Sequence, residues 1–262
     1  MTARARTEVD SIRSTLVDLG LNFAAENLTE LLSESVRRQM PGHEFLGRLL
    51  ETEIAQREER RIERTLRLSG LPVGYTLGNF DFAFQPAIDK ARIETLATSA
   101  YIRQNETILI QGPPGTGKTH LAVALGVKGI EHGFSVAFYT LESLIHAARQ
   151  HADRPLQRMK SVKYLKSSLL IIDEMGFQPL SREEASLLFR VINYRYGRGS
   201  IIITTNKAVK DWPEILAGDE VMTTAVLDRL LHKSHVLHIK GRSYRLKDLE
   251  KMLAGPHPSA PP

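Results

Sequence analysis

The chain contains no cysteine, which excludes disulfides, thiolate metal sites and cysteine nucleophiles. Long hydrophobic runs are missing too. The longest aliphatic stretch, near Leu169–Ile172, falls far short of the ~20 residues needed to cross a bilayer. Met1–Asp10 mixes Arg4, Arg6, Glu8 and Asp10 and has no apolar core, so no secretory signal is read there and a cytoplasmic location is expected. Neither polar nor apolar composition is extreme: 42% apolar and 25% charged residues match the globular average and exclude wholesale disorder and collagen-like structure. A length of 262 residues fits one large or two unequal domains.

The net charge of +5 is unevenly placed. Residues 1–70 hold 11 Lys/Arg against 12 Asp/Glu, so the excess lies beyond them. Arg149–Ser168 carries six basic residues and one acid, and Arg229–Lys247 carries six and none. Two basic blocks on a folded domain point to a polyanion partner.

Residues 10–68 read as helical. Leu28, Leu31, Leu32 and Val36 fit a 3.6-residue repeat, and Pro41-Gly42 breaks it. A second helix follows, with Leu46, Leu50, Ile54, Ile62 and Leu66 as its packing stripe and the pairs Glu53–Arg57 and Glu63–Arg67 on its exposed face. Ser69-Gly70-Leu71-Pro72 ends it, so a boundary is expected near residue 70. Residues 1–70 are too few to bury much core and read as a small all-α interaction domain.

From residue 105, short aliphatic runs alternate with helices. Strands are expected at Thr107–Gln111, Ser135–Thr140, Ser168–Asp173, Ser200–Thr205 and His235–Ile239. Runs such as Leu169-Leu170-Ile171-Ile172 are apolar at every position, as in strands covered on both faces. The predicted fold is therefore α/β, with a five-stranded parallel sheet and right-handed crossovers in a domain spanning 71–250. No internal repeat is present, and the proline-rich stretch within 251–262 is expected to be a disordered tail.

Gly112-Pro113-Pro114-Gly115-Thr116-Gly117-Lys118-Thr119 matches the phosphate-binding P-loop pattern, between the strand Ile108-Leu109-Ile110 and the apolar helix opening His120-Leu121-Ala122. Glycines let backbone N–H groups turn inward around phosphate oxygens, and the helix N-terminus adds partial positive charge. Lys118 is placed to reach the β- and γ-phosphates of ATP, and the Thr119 hydroxyl to ligate Mg²⁺. The strand Leu169–Ile172 runs into Asp173-Glu174. Carboxylates ending a buried strand need a cation or ordered water to receive them. Asp173 suits the Mg²⁺ hydration shell and Glu174 suits polarising the water that attacks the γ-phosphate, which favours a hydrolase over a small-molecule kinase. The next strand ends in Thr204-Thr205-Asn206, and strands of a parallel sheet end at the same edge, so Asn206 is expected to hold the lytic water or the γ-phosphate.

With Leu227–Leu231 (LDRLL) and Gly241–Arg245 (GRSYR), these motifs make the chain resemble the IstB-type transposition ATPases. These are AAA+ helper proteins of bacterial insertion sequences, relatives of the DnaC-type helicase loaders. The resemblance covers most of residues 10–250, including the Asn-Phe-Asp-Phe linker at Asn79–Phe82. It implies an AAA+ fold and ATP-dependent homo-oligomerisation. It also implies that Asp173 and Glu174 form the Walker B pair, that Asn206 is the first sensor, and that Arg229 is an arginine finger for the neighbouring subunit's nucleotide. After the last strand too few residues remain for a full C-terminal lid, so a second sensor would come from Arg242 or Arg245, between which the sequence does not choose. Phe80, Phe82 and Phe84 are candidates for the adenine pocket.

Between the second and third strands, Leu141–Ser168 is longer than one crossover helix. Pro155 divides it, and a second helix is expected to carry Arg158, Lys160, Lys163 and Lys166. The resemblance to initiator-type AAA+ proteins turns this helix toward nucleic acid. Without a base-reading constellation, binding to double-stranded DNA would be largely sequence-independent. The implied function is an ATP-dependent DNA-binding ATPase that assists transposition by assembling on target DNA and engaging a transposase. The alternative is a DnaC-like loader with a replicative helicase as partner. A scaffold that merely holds ATP is disfavoured by the intact Asp173-Glu174 pair.

Overall fold

In the computed structural model, residues 3–152 and 162–246 are described. The chain divides into two units between Arg64 and Thr65.

In the first unit, Gly20 takes a left-handed φ of +73° and ends a helix that the sequence reading ran straight through. Three helices therefore form where two were expected: α1 (Ala3–Asp18), α2 (Asn22–Arg38) and α3 (Gly42–Ser69), the last running through the boundary. Their core is Ala24, Leu28 and Leu49, with Leu16, Leu31 and Phe45 packed against it. This corrects the expected stripe on α3, because Leu46, Leu50 and Ile54 are exposed and the helix turns Leu49 and Glu53 inward instead. Glu53 and Arg57 are likewise not a surface pair. The buried Glu53 carboxylate accepts the Phe23 and Ala24 N–H groups (2.8 and 3.0 Å) at the start of α2, and the Arg57 Nε–H at 2.6 Å. Arg57 in turn donates to the Gly20 carbonyl at 2.6 Å. Helix α2 has no side-chain cap at Leu21, so Glu53 supplies the acceptor that its first N–H groups lack. Burial alone would raise the Glu53 pKa; the hydrogen bonds from Ala24, Arg57 and Phe23 and the charge of Arg57 together bring it below the usual carboxylate value.

The second unit is built on a parallel sheet in the order β2-β3-β4-β1-β5. The strands are β1 (Thr107–Gln111), β2 (Val136–Thr140), β3 (Leu169–Met175), β4 (Ser200–Thr205) and β5 (Ser234–His238). The bounds of β1 and β4 are those read from the sequence, and the others shift by a residue or two. Strands β1, β3 and β4 are buried along nearly their whole length, as expected for a sheet sandwiched between helices. Those helices are α4 (Lys90–Ala97), α5 (Ala100–Arg103), α6 (Lys118–Glu131), α7 (Leu141–Arg149), α8 (Lys163–Lys166), α9 (Arg182–Arg195), α10 (Trp212–Ile215) and α11 (Glu220–Leu231). Beyond β5, the described residues contain one short helical turn, Tyr244–Leu246, in place of a lid. Among the described residues, no helix is long and apolar enough to cross a membrane.

Candidate nucleotide site

Strand β1 ends at Gln111, and the chain turns at once: the Gly112 N–H donates to the Thr205 carbonyl of β4 at 3.1 Å. Two glycines make the following loop possible. Gly115 and Gly117 have φ of +76° and +93°, and a Cβ on Gly117 would lie 2.7 Å from the Phe80 ring. Within the loop, the Pro113 carbonyl accepts the Thr116 hydroxyl (2.8 Å) and the Lys118 ammonium (2.7 Å). Burial lowers the Lys118 pKa and the nearby Arg245 lowers it further, while Asp173 opposes both. Two cations thus crowd the mouth of a loop whose N–H groups already favour an anion.

Asp173 on β3 is 4% exposed and accepts the Thr119 hydroxyl at 3.0 Å on both carboxylate oxygens. It also accepts the Thr204 hydroxyl from β4. Thr204 Oγ1 receives the Glu174 N–H at 3.0 Å, so one hydroxyl ties both acidic residues to the neighbouring strand. At this point the β3–β4 register shifts between Ile172 and Met175. Glu174 adopts a left-handed φ of +62° there and is exposed, whereas its neighbours on either side are buried. Such a bulge re-aims a side chain, and here it turns Glu174 toward the cavity above the loop. Asn206 lines the same cavity, and its buried Oδ1 has no hydrogen-bond partner among the described residues.

The cavity measures about 280 Å³, and its opposite wall is aromatic. The His120 Nε2 lies 2.8 Å from the Thr76 carbonyl and 3.0 Å from Asn79 Oδ1. Both partners accept, so this nitrogen carries the proton. The His120 ring meets Tyr75 and Phe80 edge-on, with centroids 5.0 and 5.1 Å apart. Of the three phenylalanines expected here, only Phe80 lines the cavity. Phe82 packs behind Phe80, and Phe84 packs against Tyr244. Tyr75 and His120 were missed; the signal was a histidine directly after the loop's Lys118-Thr119. Of the two arginines left open, the structure brings one to the cavity. The Tyr244 N–H donates to the Gly115 carbonyl at 2.8 Å, and Arg245 lines the cavity, which Arg242 does not.

Arg229 stands elsewhere. It lies near the end of α11, just before β5 enters the sheet beside Thr107. That is the edge opposite the phosphate loop, roughly one strand length or ~15 Å away. Its Nε donates to Asn193 Oδ1 (2.8 Å), its Nη1 to the Ala225 carbonyl (2.7 Å), and its guanidinium lies 5.0 Å from the Phe189 ring centroid. Lys163 and Lys166 are exposed on α8, with the Lys163 ammonium 5.7 Å from the Tyr139 ring centroid. Arg158 and Lys160 lie outside the described residues.

Comparison with known proteins agrees with this geometry. A family model described as IstB-like ATP binding protein matches residues 14–252. The chain is 43% identical to a protein of Pseudomonas aeruginosa named for ATP binding in insertion sequence IS21, over 89% of this chain and 88% of that one. It is 42% identical to a corresponding protein of insertion sequence IS5376 from Geobacillus stearothermophilus, over 88% and 91% of the two chains. Among solved structures, the replication initiator DnaA bound to AMPPCP and single-stranded DNA superposes with a TM-score of 0.51 at 20% identity. That match covers 71% of this chain and 56% of the other and shows a shared AAA+ fold. Loop, sheet and relatives together assign this chain to the IstB-like ATP-binding proteins of insertion sequences, on an AAA+ P-loop fold.

Proposed function

We propose that this protein is an ATPase that assembles as a homo-oligomer on double-stranded DNA in its ATP-bound state, engages the transposase of its element, and is reset by hydrolysis. The observation that carries this reading is the convergence of Lys118, Thr119, Glu174 and Asn206 on one cavity, with the buried Asp173 bonded to Thr119 behind it, while Arg229 stands at the opposite edge of the sheet.

Gly112–Thr119 would wrap the phosphates, with Lys118 on the β- and γ-groups and Arg245 beside it as a second cation. Tyr75, Phe80 and His120 would flank the base. Thr119 Oγ1 and Asp173 offer adjacent hard oxygen donors, the set Mg²⁺ takes when it keeps much of its water shell and binds phosphate oxygens. Bound there, Mg²⁺ would supply charge neutralisation on the β- and γ-phosphate oxygens. Glu174 orients a water and accepts its proton as the water oxygen bonds to the γ-phosphorus. The bond from that phosphorus to the β–γ bridging oxygen breaks, and ADP leaves with the pair. Asn206 holds the water through its unpartnered Oδ1, or a γ-oxygen through its Nδ2–H. Arg229 of the next protomer meets the charge spreading over the γ-phosphoryl group, a contribution of about 4–7 kcal/mol where such fingers act. The exposed Lys163 and Lys166 continue the basic block of Arg149–Ser168 along a DNA backbone. The engaged partner is read as a transposase because the relatives belong to insertion sequences.

Glu174→Gln tests the reading. It should bind ATP as wild type does, lose turnover, and remain on duplex DNA as an oligomer. Wild-type turnover, or dissociation from DNA as fast as wild type, would refute the role given to Glu174. Lys118→Ala should lose ATP binding and assembly together.

A further inference from the structure

A second hollow, of about 240 Å³, opens beside Arg229 at the edge of the sheet where the strands begin. Among the described residues, its lining includes Arg195, Arg229 and Lys233 and no aspartate or glutamate. Arg195 is the unusual member: the residue is 1% exposed, yet among the described residues its guanidinium donates to main-chain carbonyls and to no carboxylate. Nη1 donates to the Tyr164, Leu165 and Ser167 carbonyls (3.1, 3.3 and 2.9 Å), and Nη2 to those of Ser168 and Ser200 (3.3 and 2.7 Å). Nε has no partner among the described residues. A Cβ on Gly199 would come within 2.7 Å of Nη2, so the absence of a side chain there lets the cation lie directly behind the pocket wall. Burial lowers the Arg195 pKa to about 10, which leaves it fully charged near neutrality. Lys233 is exposed at the rim, and its carbonyl is fixed to the sheet by the Thr107 N–H at 2.9 Å. Arg229 is braced by Asn193 and Phe189, with its Nη2 unpartnered among the described residues.

The five carbonyls solvate the Arg195 guanidinium without neutralising it, so a hollow lined by three cations and, among the described residues, no carboxylate keeps a positive potential that favours an anion. The chain's own nucleotide is held at the other edge of the sheet, out of reach. We infer that this hollow is a built anion pocket that receives the terminal phosphate of a nucleotide carried by a second copy of the chain, with Lys233 and the buried Arg195 acting beside Arg229. The inference rests on the trans role proposed for Arg229 and adds two cations and a bracing residue, Asn193, to it. Lys233 touches the incoming phosphate, Arg195 raises the local potential from behind the wall, and Asn193 positions Arg229.

The test uses the full chain with Lys233→Ala and Lys233→Glu, which replace an exposed side chain and leave the fold intact, and with Lys210→Ala as an exposed lysine outside both cavities. ATPγS-dependent assembly and steady-state ATP turnover are measured against protein concentration. Turnover should fall by about tenfold for Lys233→Ala and further for Lys233→Glu, with Lys210→Ala unchanged. Binding of ATPγS to dilute single subunits should be unaffected. Mixing Lys233→Ala with Lys118→Ala subunits should restore turnover, because the second variant holds no nucleotide but offers an intact pocket to its neighbour. If Arg229→Ala abolishes turnover while both Lys233 variants behave as wild type, the pocket is overturned and the finger survives. If Arg229→Ala itself turns over normally, the trans reading beneath both is lost.

Discussion

Replacing Glu174 by glycine should make the protein more stable and less active at once. At φ +62° an L-residue costs about 1–2 kcal/mol relative to the right-handed regions, a cost that glycine does not bear. Glycine loses about 0.5–1 kcal/mol through the greater freedom of its unfolded chain. The Glu174 side chain is exposed, and the hydrogen bond fixing this residue is made by its backbone N–H to Thr204 Oγ1, which survives the change. Glu174→Gly should therefore stabilise the nucleotide-free protein by up to about 1 kcal/mol, a rise of about 2–4 °C in the midpoint of a unit this size. Glu174→Gln keeps the backbone penalty and should melt within about 0.5 kcal/mol of wild type. Both remove the carboxylate, so phosphate release at saturating ATP should fall by about 10²- to 10⁴-fold in each. Calorimetry without nucleotide and a phosphate-release assay read the two effects separately. A Glu174→Gly protein that melts below wild type would refute the claim that strain is stored at this bulge to aim the carboxylate.

Other consequences are as direct. As pH rises on the alkaline side, affinity for ATP should decline earlier than an ordinary lysine would allow, because the lowered Lys118 pKa brings forward the loss of its charge; Lys118→Arg should flatten that decline in calorimetric titrations. Glu53→Ala leaves the Phe23 and Ala24 N–H groups without an acceptor and should destabilise the first unit by about 2–4 kcal/mol, read as faster hydrogen exchange at those two amides in the full chain. Because the folded Glu53 pKa lies below its unfolded value, its stabilisation is complete above the unfolded pKa near 4.5 and is lost as pH falls through the folded one, so the same amides should lose protection on acidification. Gly117→Ala places a side chain against Phe80 at a strained φ and should abolish ATP binding. If roughly five phosphates are neutralised per binding unit, log K for duplex DNA should fall with log salt at a slope of about −4 to −5, and a slope near zero would return Lys163 and Lys166 to the role of solvated surface.

The sheet was legible because burial on both faces leaves a plain mark. Ile108-Leu109-Ile110 and Ile201-Ile202-Ile203 are apolar at consecutive positions and bounded by polar residues, so their ends are unambiguous. The bulge was not legible, since nothing in Asp173-Glu174 distinguishes a strand that ends from one that folds back through a left-handed residue and continues to Met175. Helix α3 carries two apolar rows at helical spacing, Phe45 with Leu49 and Leu46-Leu50-Ile54, and periodicity alone cannot say which faces the core. What decided it was a polar requirement: α2 begins without a cap, and only the row beside Glu53 brings a carboxylate to it. Arg242 and Arg245 were indistinguishable for a similar reason, because the turn that orients them is set by a main-chain bond from Tyr244 to Gly115.

The polarity of a parallel sheet constrains any assembly that shares nucleotide between copies. All five strands point the same way, so the loop with Lys118 closes one edge and Arg229, Arg195 and Lys233 lie at the other. A two-fold dimer pairs one surface with itself and would have to bring two opposite edges of each sheet into a single interface, which a rigid sheet forbids. A contact from phosphate edge to cation pocket is instead head-to-tail, and it closes as a ring or runs on as a helix. In such an assembly each nucleotide would sit between two copies, and every copy but a terminal one would both give and receive a contact. In the proposed assembly, hydrolysis and release of one γ-phosphate would weaken a single joint directly, because the three cations of that joint would lose the charge that they balance. DNA lying along such an array would be released progressively as its joints open.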